Sequence, residues 1–306
     1  MHVLVVCLNP TVQRTLVVEG LRIGEVNRVV EHRIDASGKG VNAGRVLAQL
    51  GARVTHLTQS GGRDHELFRR LAEEDGIEMA TVEADVELRQ GTTVIDRSTA
   101  TTTEVVEKRE TVPSGTEDRI RRRYEELLPP ADGVLIAGSK APGFSGELFP
   151  GLVERARAAG KFVLIDYRGE DLLGSLPHRP DIVKPNLMEF ARTFLSEQAG
   201  ADLSEHEHDE ELLAETRRKM LELHASYGAD VVLTRGSSPA LYVVDGVVEE
   251  AAPPEITPVN TIGSGDAFGG ALVFKRLSGA TLAESVRFAH ACAAENAKLL
   301  KPGSIR

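Results

Sequence analysis

Between Pro258 and Gly270 the chain reads Pro-Val-Asn-Thr-Ile-Gly-Ser-Gly-Asp-Ala-Phe-Gly-Gly, the densest concentration of chemistry in the sequence. Gly263, Ser264 and Gly265 are small enough for backbone N–H groups to approach an anion unobstructed, and the apolar run from Ala267 to Phe274 predicts a helix starting there. Asp266 is thereby expected in a helix's first turn, at the lip of an anion hole. A carboxylate beside a bound phosphate has a use when a hydroxyl must reach that phosphate, which is the geometry of phosphoryl transfer to an alcohol. The plainer alternative is an acid that only favours the helix dipole.

A second dense stretch runs Asp35-Ala-Ser-Gly-Lys-Gly-Val-Asn-Ala-Gly-Arg45. Gly38 and Gly40 keep the loop open, Lys39 brings a point charge, and Asn42 enters the following helix with both a donor and an acceptor. That set suits sugar hydroxyls or a sugar phosphate; the alternative is a glycine-rich loop that only caps a helix. Two other phosphate signatures are excluded. Gly38-Lys39 is followed by Gly40, so no P-loop is present, and Gly263-x-Gly265-x-x-x-Gly269 has one residue too many for a dinucleotide fingerprint.

These loops need a scaffold. Apolar segments rich in β-branched residues, at His2 to Leu8, Val54 to Thr58, Gly133 to Ala137, Phe162 to Asp166, Ile182 to Lys184 and Val231 to Thr234, read as buried parallel strands. Helices are expected at Val41 to Leu50, Glu66 to Glu74, Glu117 to Leu128, Leu148 to Ala159 and Glu210 to His224, and again near Asp266 to Leu277 and Leu282 to Leu300. This alternation predicts an α/β fold with a doubly wound, mostly parallel sheet flanked by helices, whose ligands gather at the carboxyl ends of the strands. Residues 12–34 and 90–108 alternate polar and apolar without a helix between, which predicts a small β-sheet lid.

With 306 residues, 41% of them hydrophobic, the chain can bury a large core. No apolar run approaches the roughly 20 residues of a membrane span, and the short N-terminal apolar run lacks a signal peptide's basic start, so a cytoplasmic protein without a membrane partner is expected. Cys7 and Cys292 suit core packing rather than a disulfide or zinc site. His206 and His208 lie in an acidic stretch that reads as a solvated loop more readily than a metal site. A net charge of -10 argues against nucleic acid as a partner and means that an anionic substrate needs a local cluster of positive groups.

Taken together and in order, five segments resemble the ribokinase-like carbohydrate kinases, the PfkB family, in its phosphofructokinase and tagatose-6-phosphate kinase branch. They are Leu8-Asn-Pro-Thr-Val-Gln13, Ser37-Gly-Lys-Gly-Val-Asn42, Gly138-Ser-Lys-Ala-Pro-Gly143, Lys184-Pro-Asn-Leu-Met-Glu189 and Asn260-Thr-Ile-Gly-Ser-Gly-Asp266. The resemblance spans essentially the whole chain and implies one ribokinase-like domain, 1–306, with the lid inserted in it. It also implies ATP as co-substrate and Mg²⁺ as cofactor. Asp266 is then the catalytic base, with Gly263, Ser264 and Gly265 as the anion hole. A carboxylate at a helix N-terminus is expected to be a weak base, which a loose transition state tolerates. Gln13, Gly38, Lys39, Asn42, Arg89 and Ser139 fall at acceptor-binding positions, with Arg28 of the lid as a further charge. Lys184, Thr234, Arg235 and Gly236 fall at ATP-binding positions, although a surface salt bridge serves Arg235 equally well. Asn186 and Glu189 fall where the family organises Mg²⁺ and its waters.

The chain departs from the family at Gln13, where an Asp usually accepts from sugar hydroxyls, at Asn260 for Asp, at Ser37 for Gly, and at Lys140-Ala141. The expected activity is ATP-dependent phosphorylation of a ketohexose phosphate, with fructose 1-phosphate ahead of fructose 6-phosphate and tagatose 6-phosphate. A kinase of an unphosphorylated sugar or nucleoside is the alternative that Gln13 encourages; a non-catalytic sugar-phosphate sensor is the alternative of another class. Related kinases often pair through their lids. A homodimer is expected here by the same route, using Val94, Val105 and Val106.

Overall fold

Strands with both faces buried read as continuous apolar runs, and Val3-Leu-Val-Val6 is such a run at the centre of the main sheet. A computed structural model describes residues 1–195 and 210–306; His206 and His208 lie outside them. β1 (His2–Val6) pairs in parallel with β4 (Arg53–Ser60) on one side and β8 (Gly133–Ala137) on the other, so that Val3 lies opposite both Val54 and Gly133. Beyond β4 lies β5 (Ile77–Glu83); beyond β8 come β9 (Phe162–Asp166), β10 (Ile182–Val183) and β11 (Asp230–Arg235), all parallel. Two strands then extend the sheet antiparallel, β12 (Ser238–Val244) and β13 (Val247–Ala251). Their turn, Asp245-Gly246, has positive φ at both residues, the twist-matched geometry of a two-residue hairpin.

Helices cover both faces. On one side α1 (Lys39–Gln49), α2 (His65–Glu74), α8 (Ser264–Leu277) and α9 (Leu282–Ala297) bury Val41, Leu47, Phe68, Phe268, Leu272 and Val286. On the other, α3 (Thr116–Leu127), α4 (Leu148–Ala158) and α7 (Glu210–Tyr227) bury Ile120, Tyr124, Phe149, Leu152 and Met220. Two short helices escaped the sequence reading, α5 (Glu170–Ser175) and α6 (Leu187–Phe194).

Two backbone contacts set the site. α1 and α8 cross so closely that a Cβ on Gly270 would lie 2.5 Å from the carbonyl oxygen of Ala43. The segment after α9 returns so that a Cβ on Gly303, at φ 63°, would lie 2.4 Å from Cα of Asn42. Gly263, at φ 81°, meets the same segment, with the amide nitrogen of Gly303 2.5 Å from where its Cβ would be.

The lid is a separate four-stranded sheet in the order β3 (Glu31–Ser37), β2 (Thr11–Val18), β6 (Arg89–Asp96), β7 (Thr101–Val106). β2 and β6 run parallel, with Thr11 opposite Arg89 and Gln13 opposite Gly91. The residues joining β2 to β3 leave Ile23 97% and Val26 89% exposed.

Candidate active site

Asp266 sits in the first turn of α8, whose N-cap is Gly263 in a left-handed conformation. Such a φ costs an L side chain energy, and the C-terminal segment leaves no room for one. Ser264 N–H turns back to the carbonyl of Thr261, so the N–H groups of Gly265 and Asp266 are the open donors of the helix end. Two buried amides hold this turn. Asn260 donates to Leu300 O and accepts from Ile262 N–H, while Asn296 donates to Ile262 O and to Ser264 Oγ.

Asn42 Nδ2 donates to Asp266 Oδ2 at 2.8 Å, and Asn42 Oδ1 accepts from Ser37 Oγ and from Arg45 Nη1. Arg45 is fully buried and paired with Asp75, which fixes Asn42 from behind. Burial pushes the Asp266 carboxyl up to about 6; Lys39 opposes this, nearby Asp166 adds to it, and the Asn42 bond opposes it. The weak base expected from the helix dipole is therefore not what the surroundings produce. Desolvation leaves a carboxylate that holds a proton more firmly than a free one.

Next to it lies a charge cluster whose centre, Asp166, the sequence reading treated only as the end of a strand. It ends β9, where a carboxylate has no place in an apolar core unless it is paired. Asp166 Oδ2 meets Lys184 Nζ at 2.8 Å, both side chains being 3% exposed, and Oδ1 meets Lys39 Nζ at 2.8 Å. Burial alone would raise the Asp166 carboxyl; the two ammonium groups overcome it and hold it below its usual range. Gly269 on α8 leaves the space, since a Cβ there would come within 3.2 Å of Lys184 Cε. Lys39 also reaches Glu189 Oε1 at 2.9 Å, so its ammonium points at these carboxylates rather than at the acceptor-side groups. Burial disfavours its charge, but Asp166, Glu189 and Asp266 raise it above the ordinary lysine range. Asn186 and Glu189 form a reciprocal capping box at the start of α6, Asn186 Oδ1 accepting from Glu189 N–H and Glu189 Oε2 from Asn186 N–H. No group of three His, Cys, Asp or Glu forms a metal cage among the described residues. Asp166, Glu189 and Asn186 nonetheless offer only oxygen donors, the chemistry that suits a hard and mostly hydrated Mg²⁺.

The residues expected on the acceptor side come from the lid strands (Gln13, Arg89), the start of α1 (Gly38, Lys39, Asn42) and the residues after β8 (Ser139). Arg89 donates from Nε and Nη2 to Thr11 Oγ1, and Arg109 donates to Ser139 Oγ and to Lys140 O. Asn9 donates to the same Ser139 hydroxyl, and Asn9, Arg89 and Arg109 line one cavity. Neither guanidinium has a carboxylate among its hydrogen-bond partners in the described residues. Burial disfavours the charge on Arg89, and the Arg109 charge adds to this. Arg109 lies just past the lid alternation, which is why sequence periodicity did not single it out. Lys140 turns away to Asp171 and Ser145 O. Gln13 is buried and donates to Thr93 Oγ1; Gly38, at φ 108°, lies against Asn9 and Cys7. Arg28 is exposed in the connection between β2 and β3.

Opposite, Thr234 bridges to Asn186, and Arg235 donates to Pro239 O beside the Gly236 turn. Arg235 is 7% exposed with its Nε unpartnered, which is not a surface salt bridge. Lys184 is likewise buried and paired.

Known proteins resemble this chain over nearly its full length. The family model for pfkB family carbohydrate kinases matches residues 4–304. A 1-phosphofructokinase of Rhodobacter capsulatus is 31% identical over 95% of the chain and 89% of its own length. One of Vibrio cholerae is 28% identical over 95% and 88%. The structure of phosphofructokinase-2 from Escherichia coli superposes with a TM-score of 0.83 at 24% identity, covering 97% of this chain and 93% of that one. That last likeness bears on the fold.

Proposed function

Because the chain belongs to the pfkB family of carbohydrate kinases, we propose that it transfers the γ-phosphoryl group of ATP to a hydroxyl of a ketohexose phosphate, fructose 1-phosphate before fructose 6-phosphate or tagatose 6-phosphate. The observation that carries the acceptor class is the pair Arg89 and Arg109, two guanidinium groups at one cavity with no carboxylate bonded to either. Arg89 is half-buried and Arg109 exposed; a guanidinium with no bonded carboxylate favours an anion, and Arg presents a planar fork that fits a phosphate. Glu87 and Glu110 line the same cavity, but a neutral sugar would leave neither guanidinium with a hydrogen-bonded anion, which weighs against a kinase of unphosphorylated sugars.

Asp266, held by Asn42, accepts the proton of the acceptor hydroxyl. The open N–H groups at the start of α8, together with its dipole, hold the oxygens of the moving phosphoryl group. Lys184 keeps Asp166 ionised, and Thr234, Arg235 and Gly236 border the space for the nucleotide. Asp166, Asn186 and Glu189 would hold Mg²⁺, which when bound with ATP neutralises phosphate charge. Cytoplasmic residence goes with ATP as co-substrate; no helix among the described residues is long and apolar enough to cross a membrane.

Pairing of two copies through the lid completes the reading. Val105 is 64% exposed on β7, and Ile23 and Val26 project from the same sheet's connection. Exposed apolar side chains on one small sheet favour a covering surface. ATP consumption measured over a panel of sugars and sugar phosphates tests the function. Turnover with fructose 1-phosphate is expected, and turnover confined to neutral sugars or nucleosides would refute the acceptor assignment.

A further inference from the structure

Asp166 and Glu189 each divide their two oxygens in the same way. One oxygen of each is held within the fold, Asp166 Oδ2 by buried Lys184 and Glu189 Oε2 by the N–H of Asn186. The remaining pair, Asp166 Oδ1 and Glu189 Oε1, converges on the ammonium of Lys39, at 2.8 and 2.9 Å. The two lysines differ in freedom. Lys184 is 3% exposed and wedged against Gly269, whereas the Lys39 side chain is 31% exposed and stands at the first position of α1, next to the Gly38 cap. One counter-ion is built in; the other can leave.

We propose that Lys39 is a resident counter-ion occupying the cation position of Asp166 and Glu189, displaced only when a divalent cation arrives together with nucleotide phosphates. The proposal rests on the metal-dependent kinase reading above and adds the order of events. With Lys39 in place the charges of Asp166, Glu189, Lys39 and Lys184 sum to zero, and a divalent cation entering alone must expel an ammonium whose one further acidic neighbour, Asp266, already holds the Asn42 amide, so that another anion is needed to receive it. Nucleotide phosphates supply that anion. Lys39 then exchanges carboxylate oxygens for phosphate oxygens, and the site stays balanced at each stage. A free metal ion is refused, so the enzyme does not load the cation without its substrate.

Mn²⁺ alone, followed by the loss of its free-ion electron paramagnetic resonance signal, tests this on the full chain without nucleotide. Wild type is expected to show no stoichiometric site, and Lys39→Met is expected to gain one at least ~10-fold tighter, since the competing charge is gone. The gained site should vanish in Lys39→Met/Asp166→Asn. Equal Mn²⁺ binding by wild type and Lys39→Met, or none by a folded Lys39→Met, overturns the proposal. Should Lys39→Met fail to fold, wild type with ¹³C-methylated lysines decides. The resonance absent from Lys39→Arg should stay in place with Mg²⁺ alone and shift with Mg²⁺ plus a non-hydrolysable ATP analogue; movement with Mg²⁺ alone, or none with both, overturns it. Phosphorylation that proceeds without any divalent cation would instead refute the underlying metal-dependent reading.

Discussion

The side-chain amide of Asn42, on α1, donates to the carboxylate of Asp266, on α8, at 2.8 Å across 224 residues of sequence. The bond favours the ionised acid and fixes which oxygen remains open to a hydroxyl. Asp266→Asn keeps an oxygen for this bond, so the fold should survive with Tm little changed. Loss of the base should lower kcat by roughly 10²- to 10⁴-fold. Steady-state kinetics with a melting curve check this, and activity within a few-fold of wild type removes Asp266 from the mechanism.

A pH profile follows from the Asp266 carboxyl being raised to about 6. The base is ionised above that value and protonated below it, so kcat/KM should fall as pH drops through about 6. Lys39 and Asn42 both favour the ionised form. Lys39→Met and Asn42→Ala should therefore move the acid limb to higher pH. A limb that stays in place in both variants assigns it to another group.

For the acceptor side, Arg89→Ala and Arg109→Ala should each raise KM for the sugar phosphate roughly 10- to 100-fold, the worth of a charge-assisted hydrogen bond. KM for ATP should hardly move. Equal weakening of both substrates would take the arginines off the acceptor phosphate.

Gly270→Ala tests the scaffold beneath the chemistry. A Cβ there lies 2.5 Å from Ala43 O, a backbone atom that cannot swing aside, so α1 and α8 must separate. Destabilisation of about 1–3 kcal/mol is expected, with a loss of kcat as Asn42 is drawn from Asp266. Unchanged Tm and kcat would mean that the α1–α8 crossing does not hold Asn42 against Asp266.

In the lid, Val105→Glu and Ile23→Asp add charge to the apolar surface proposed for pairing. Light scattering at micromolar concentration should show a dimer in wild type and monomers in the variants. A monomeric, fully active wild type rules the pairing out, and a dimer indifferent to both changes moves the interface elsewhere.

Much of the scaffold was legible because buried parallel strands announce themselves: Gly133 to Ala137 and Phe162 to Asp166 match strand bounds in the structure. Less visible were β5, where Ile77 to Glu83 is an edge with only Ile77, Ala80 and Val82 buried, and the β12–β13 hairpin, although its Asp245-Gly246 turn is a strong local signal. Within the site, the glycine turns and Asp266 stood out because their residue types are unusual for their surroundings. Asp166 did not, since a lone acid at a strand end has no local pattern, and its two lysines are 127 and 18 residues away. The orientation of Lys39 was equally hidden: spacing places a charge in a loop but not the carboxylates it will choose.

Gly303 lies against both Asn42 and Gly263, so the turn proposed to hold the phosphoryl group is closed by a segment that follows α9 and carries none of the proposed chemistry itself. A cut between Asn296 and Gly303 would leave Asp266, Asn42, Lys184 and Arg89 in one chain, yet free the segment that presses the anion turn into shape. Proteolysis there is therefore expected to silence the enzyme while every group proposed for its chemistry stays intact.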